Sequence, residues 1–448
     1  MAVTIGAVGL TLAVCFAMAF DVRFGLVALA VACFTAAALV DLGWGVALWV
    51  PLGFVADAIP VLFPALTAGA IVLVIAWLGE RRRLRNEPRP QVRRWPLLAV
   101  AAVVAWLLLS LGWAGEPGVA QPLMISWACS ITVFLIIATT LTSVRHIRLL
   151  ATAFVCGAVL SVAVGIATEG LASSAGGELT PDTGLRTPGG ADANLLAAAL
   201  IPALVLAAAL FATTRAVITR GLLLFAVAVI VFGVVQTQSR GAAVGFGVTL
   251  LAALVVARNQ RAQILLATFT VATVAALVFV AFPGALERMT TFDGTGTGRT
   301  ELWGVALEMS RDHPVVGVGL ANFPEESEAY VRRPGGLRFV EDIVYRPHVV
   351  HNTYLGMLSE AGIVGIALLL AALAGAVDAA RRAARRFERQ GRASERTLAR
   401  AVLLGAVGML AAYAFLSGGH DTRLWVLLAL GPALLAASAR PGPAARAG

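Results

Sequence analysis

The feature that most restricts the fold of this chain is a succession of apolar runs about 17 to 25 residues long, the length of helix that crosses a hydrocarbon core. Lipid offers no hydrogen bonds, so each run must satisfy its own backbone, and each therefore predicts an α-helix. The predicted spans are 3–20, 24–40, 43–59, 61–79, 95–113, 123–144, 149–168, 194–213, 221–237, 241–257, 262–282, 353–377, 401–417 and 424–439. Asp41, Asp57 and several prolines interrupt residues 41–64, where two of these spans could equally be one span and a surface helix. With 59% hydrophobic residues, 13% charged residues and a mean hydropathy of +0.87, the chain lacks the polar surface of a soluble domain. The expected fold class is an all-α polytopic transmembrane bundle of about 12 to 14 spans with one large extracytoplasmic helical loop.

The formal charge of +9 does not indicate a nucleic-acid partner. Every basic residue is an arginine, and most lie in the short connections 81–94, 145–148, 214–220, 258–261 and 378–400. The alternate short connections hold only Arg23, Arg186, Arg240 and Arg423. The positive-inside rule then places the first set, and both termini, in the cytoplasm. Absence of lysine beside heavy use of Ala, Gly and Arg reads as a GC-rich bacterial genome, and the location as a multi-pass protein of the bacterial cytoplasmic membrane surrounded by membrane lipids. The first run has no basic residue before it, and Val14 and Phe16 flank Cys15 where a lipoprotein site needs small residues, so it reads as a retained span. Cys15, Cys33, Cys129 and Cys156 lie in apolar runs without CxxC spacing and read as buried, inert thiols. Three units follow: a bundle over 1–282, an extracytoplasmic loop with an amphipathic helix over 283–350, and further spans over 351–448.

Chemistry concentrates in the segments expected outside the cytoplasm. HVVHNTYLGMLSEAGIVG (348–365) runs a loop with His348 and His351 into an apolar helix, and Asn352 is placed to cap it. The positive helix end favours a neutral His351 imidazole that accepts a proton, and the helix behind it is expected to act as a rigid mount. HxxH lacks the glutamate of HExxH and a third ligand, so no metal is expected. GRTELWGVALEMSRDHP (298–314) spaces Leu302, Trp303, Ala306 and Met309 as one helix face ending at Pro314. Arg299 falls in its first turn, where a cation gains nothing from the helix dipole and a bound anion is the natural counterpart. GVGLANF (317–323) lacks the third glycine of a phosphate loop and reads as a sharp turn. Arg240, in QTQSRG between two barely sufficient spans, is costly at membrane depth unless paired. Arg186 precedes TPGGADANLLA, in which Asp192 and Asn194 read as helix caps. His313 reads as a helix-end residue, His146 as a cytoplasmic loop residue, and His420, Asp421 and Arg423 as an outer turn edging the same site.

LRTPGGADANLLA (185–197), QSRGA (238–242), residues 298–323 and HNTYLGMLSEAGIVG (351–365) together resemble the O-antigen ligase superfamily, which also holds O-antigen polymerases and protein O-oligosaccharyltransferases. The resemblance implies a metal-independent membrane glycosyltransferase without cofactor, acting on the extracytoplasmic face. Its donor would be a glycan on undecaprenyl pyrophosphate and its acceptor a hydroxyl of a lipid, polysaccharide or protein. By the same resemblance Arg186, Arg240 and Arg299 would grip the pyrophosphate and His351 would act as general base, with His348, His420 and Arg423 as possible secondary residues. The competing class is a transporter or lipid flippase, which predicts broken helices and ionisable residues at the bilayer midplane. Here the charges gather at one face instead.

Overall fold

In a computed structural model of the chain, residues 22–56, 59, 62–83, 94–169, 192–282, 299–333 and 349–440 are described. Among them the regular structure is helical, with no strand. The helices are α1 (Val22–Val40), α2 (Leu42–Val55), α3 (Phe63–Arg83), α4 (Arg94–Ser110), α5 (Gln121–Thr140), α6 (Val144–Glu169), α7 (Ala193–Thr213), α8 (Val217–Thr237), α9 (Arg240–Val256) and α10 (Arg261–Ala281). They continue with α11 (Arg299–Asp312), α12 (Phe323–Val331), α13 (Thr353–Arg389), α14 (Ala393–Ala412) and α15 (Thr422–Ala437). A helix underlies every predicted span from 24–40 onward, and span 3–20 lies outside the described residues. Among the described residues, eight helical stretches are long and apolar enough to cross a membrane, and five apolar ones are shorter.

The core forms around α15, whose residues from Arg423 to Ala437 are almost all buried. Trp425 packs between Trp127 and Phe134 of α5, tilted against the first and edge-on to the second, with centroids 5.9 and 5.7 Å away. Small residues let other helices close on one another, because backbone approach replaces hydrophobic driving force in such bundles. Gly245 of α9 faces the backbone of Gly408 in α14, and Gly405 sits against Pro202 of α7. At the other extreme α10 buries none of its residues. Cys33 and Cys156, expected inside, lie on the outer surface of the bundle, and Cys129 is half-buried.

Residues 41–64 contain α2, capped by Asp41 and largely buried. Two further expectations change. His146 is in the first turn of α6 rather than a loop, with Nε2 3.3 Å from the Asp41 carboxylate, so it ties α6 to the start of α2. The largest change is in α13, which is broken at Gly362 (φ 67°, ψ −170°). A short segment, 353–361, therefore stands between the His351 loop and the apolar helix expected to carry it.

Candidate functional site

The break follows from a knot between two distant parts of the chain. Beyond α11 the backbone runs through 313–322 and lies across residues 359–363. Gly319 N–H donates to the Glu360 carbonyl (2.8 Å), Val318 N–H to Ser359 (3.0 Å), and Ile363 N–H to Pro314 (2.9 Å). The fit demands glycine twice. At Gly317 (φ 70°) a Cβ would meet the Glu360 backbone, and at Gly362 it would collide with the Val315 carbonyl. GVGLANF is thus the sharp turn expected of it. Trp106 of α4 donates to the Ala361 carbonyl (2.8 Å), one of the α13 groups freed by the break.

Glu360 completes the knot with its side chain, which accepts the backbone N–H groups of Ala321 and Phe323. Phe323 is the first residue of α12, so a carboxylate from α13 caps a helix from another part of the chain. Asn322, the nominal N-cap, makes no cap bond. Its Oδ1 instead accepts Glu116 N–H (2.7 Å), holding the loop after α4.

On this platform α11 and α12 form a small second core. Leu302, Val305, Ala306 and Met309 pack with Phe323, Tyr330, Val331 and Val350. Of the face predicted from Leu302, Trp303, Ala306 and Met309, Trp303 alone is half-buried rather than buried, and it donates from Nε1 to the Val350 carbonyl (3.1 Å). His313 lies just past the helix, its N–H on the Met309 carbonyl. At the far edge Arg333 donates to Asp312 (2.7 Å), and this hydrogen bond holds the Asp312 carboxyl below the usual carboxylate range.

His351 lies immediately before α13 with φ 52°, a left-handed backbone uncommon outside glycine. Asn352 is the cap expected of it, accepting from Tyr354 N (3.0 Å) and Leu355 N (3.1 Å). Thr353 then donates to the Leu416 carbonyl (2.7 Å) and accepts from Gly418 N (3.1 Å), which moors this helix start on the turn between α14 and α15.

The same turn meets Arg299 and the residue after Arg240. Arg299, first residue of α11, donates to the Phe415 carbonyl (3.4 Å). Arg240 is the first residue of α9, exposed, and a Cβ on its neighbour Gly241 would stand 2.8 Å from Phe415 Cβ. Residues 415–418 thus join Arg299, the backbone beside Arg240 and the helix start beside His351. Asp192 caps α7, while Asn194, expected as a cap, accepts a hydrogen bond from Ser239 Oγ (2.8 Å) one residue before Arg240. Arg186 and His348 lie outside the described residues.

His420 and Arg423 differ in setting. His420 is half-buried, its carbonyl accepting Ser130 Oγ (2.7 Å). Arg423 points into the bundle, 4% exposed, with Nε 2.9 and 3.1 Å from the Asp421 oxygens, and Tyr413 OH also donates to Asp421 (2.7 Å). That pair holds Arg423 within the bundle. Sequence reasoning missed Phe415, Leu416 and Gly418, which act through backbone groups and close contact and leave no motif. It also missed Glu360, whose signal is a lone acid in an apolar run.

Fold and composition define a polytopic, all-helical membrane protein. Residues 224–370 match the O-antigen ligase family, so the resemblance to that superfamily holds over the stretch containing Arg240, Arg299 and His351. The family's activity is glycan transfer of the ligase and polymerase kind. No curated protein matches the chain.

Proposed function

We propose that this protein is a glycosyltransferase of the O-antigen ligase type, multi-pass in the bacterial cytoplasmic membrane, with about 12 to 14 spans and its site on the extracytoplasmic face. In this reading α11, α12 and the 313–322 turn belong to the external loop, and the donor is a glycan on undecaprenyl pyrophosphate. The observation that carries it is the meeting of Arg299, the Arg240 turn and the His351 helix start, all three inside the family match, on residues 415–418.

The acceptor oxygen attacks the anomeric carbon as the bond from that carbon to the phosphate oxygen breaks. His351 takes the proton of the acceptor hydroxyl. Undecaprenyl pyrophosphate leaves with the bonding pair, and Arg186, Arg240 and Arg299 stabilise the negative charge growing on it. Guanidinium forks match phosphate oxygens and keep their charge at any working pH, so the scheme needs no metal. Each such contact contributes about 1.5 to 3 kcal/mol.

Removing a preorganised donor costs ~100-fold or more in rate. Arg240→Ala and Arg299→Ala are therefore expected to insert and fold normally while glycan transfer from the lipid-linked donor collapses. Wild-type transfer by either variant would refute the clamp. A His351→Ala protein with full activity across neutral pH would remove the general base and leave the clamp standing.

A further inference from the structure

The far end of α13 carries a charged face for which glycan transfer has no use. We propose that Arg385, Arg386 and Arg389 form a docking site for anionic phospholipid headgroups. From the break at Gly362 the helix continues to Arg389. At 1.5 Å per residue these three arginines stand about 35 to 40 Å from the break, against a hydrocarbon core of about 30 Å. With the break packed on the 313–322 turn, which the proposed function places in the external loop, they reach the level of the lipid phosphates of the opposite leaflet.

This end is held in place by its other face, since Ala379, Ala380, Ala383, Ala384 and Phe387 are buried against the bundle. The nearby carboxylates are engaged elsewhere. Asp378 takes Arg381 and Arg382, Glu388 takes Arg396 and Arg400, and Glu395 takes Arg392. Arg385, Arg386 and Arg389 are exposed, and no ion pair joins them to a carboxylate among the described residues. Their spacing, i, i+1 and i+4, puts them on one side of the helix, where like charges repel unless a counter-charge is present. A phosphodiester is that counter-charge, and a planar guanidinium holds it through two N–H bonds. Depth favours a lipid over a soluble anion. Each arginine at such a surface gains about 1 kcal/mol from anionic lipid, so three give a preference of at least tenfold.

The test is native mass spectrometry of the purified protein equilibrated with equal amounts of phosphatidylglycerol and phosphatidylcholine. Wild type is expected to retain phosphatidylglycerol at least tenfold over phosphatidylcholine. The triple variant Arg385→Gln, Arg386→Gln, Arg389→Gln is expected to approach parity. Arg381→Gln with Arg382→Gln, whose guanidinium groups already face Asp378, should keep the preference. Parity in wild type, or an undiminished preference in the triple variant, overturns the proposal. So does displacement of phosphatidylglycerol by millimolar inorganic phosphate, which would mark a small-anion site. If the triple variant does not assemble, salt decides: the wild-type preference must weaken between about 0.05 and 0.5 M, and a salt-independent preference refutes the site.

Discussion

Replacing Gly362 with alanine tests the knot on which the candidate site is built. At φ 67° and ψ −170° the residue occupies a region open almost only to glycine, and an L side chain there is strained by about 1 to 3 kcal/mol. The new Cβ would also collide with the Val315 carbonyl, a backbone atom that cannot rotate aside. Relief requires the 313–322 turn to lift, which puts at risk the bonds Ile363 to Pro314, Gly319 to Glu360 and Val318 to Ser359. At about 1 kcal/mol each, these bring the expected cost of Gly362→Ala to about 4 to 6 kcal/mol. Gly304→Ala is the matched control: it lies within α11, and no atom stands within 4 Å of its would-be Cβ. There alanine should be neutral or stabilising by up to about 1 kcal/mol. Thermal unfolding in detergent reads stability, and transfer from a lipid-linked glycan reads the site. Gly362→Ala should unfold many degrees lower and lose transfer, because α11 and the His351 helix start no longer share a fixed register. A Gly362→Ala protein within about 1 °C of wild type would show that the break is not imposed by the turn, and the reasoning would fail.

Glu360→Ala strips the acceptor from two backbone N–H groups and should cost about 3 kcal/mol in unfolding, whereas Glu360→Gln, which keeps an acceptor oxygen, should lose less than half of that. Equal midpoints for the two variants would contradict the cross-chain cap. Asp421→Ala leaves the buried Arg423 without its carboxylate and should lower stability by about 3 to 5 kcal/mol, part of which the Asp421→Leu, Arg423→Leu double variant recovers; an unchanged midpoint in the single variant would sink this. Because the Asp312 carboxyl is held below its usual range, its clasp with Arg333 contributes above the unfolded carboxylate's pKa and is lost as pH falls through the lower folded value. Unfolding midpoints of wild type and Asp312→Asn should therefore differ at neutral pH and converge below about pH 4, and parallel curves would contradict the clasp.

The helices of the bundle were legible because a bilayer sets their length and lipid forbids unpaired backbone. Positions such as Arg240 and Arg299 at helix starts, and Asn352 as a cap, follow from local rules that tertiary packing leaves intact. The break at Gly362 was not legible: glycines are common in apolar spans, and only contact with Val315 selects the left-handed one. Asn194 and Asn322 are both placed like caps, yet each gives its side chain to a distant partner, Ser239 in one case and Glu116 in the other. Glu360 supplies the cap that Asn322 does not. The meeting place at 415–418 was hidden for a related reason, since carbonyl groups and a missing Cβ carry no residue signature. Arg423 was read by its neighbours in sequence, whereas its setting is decided by Asp421, Tyr413 and the depth of α15.

The most direct test of the account is a structure of the protein with undecaprenyl pyrophosphate bound. The account predicts phosphate oxygens within about 3 Å of the Arg240 and Arg299 guanidinium groups, with the sugar-bearing side turned toward His351. A pyrophosphate bound at the other end of the bundle, or out of reach of both arginines, would contradict it.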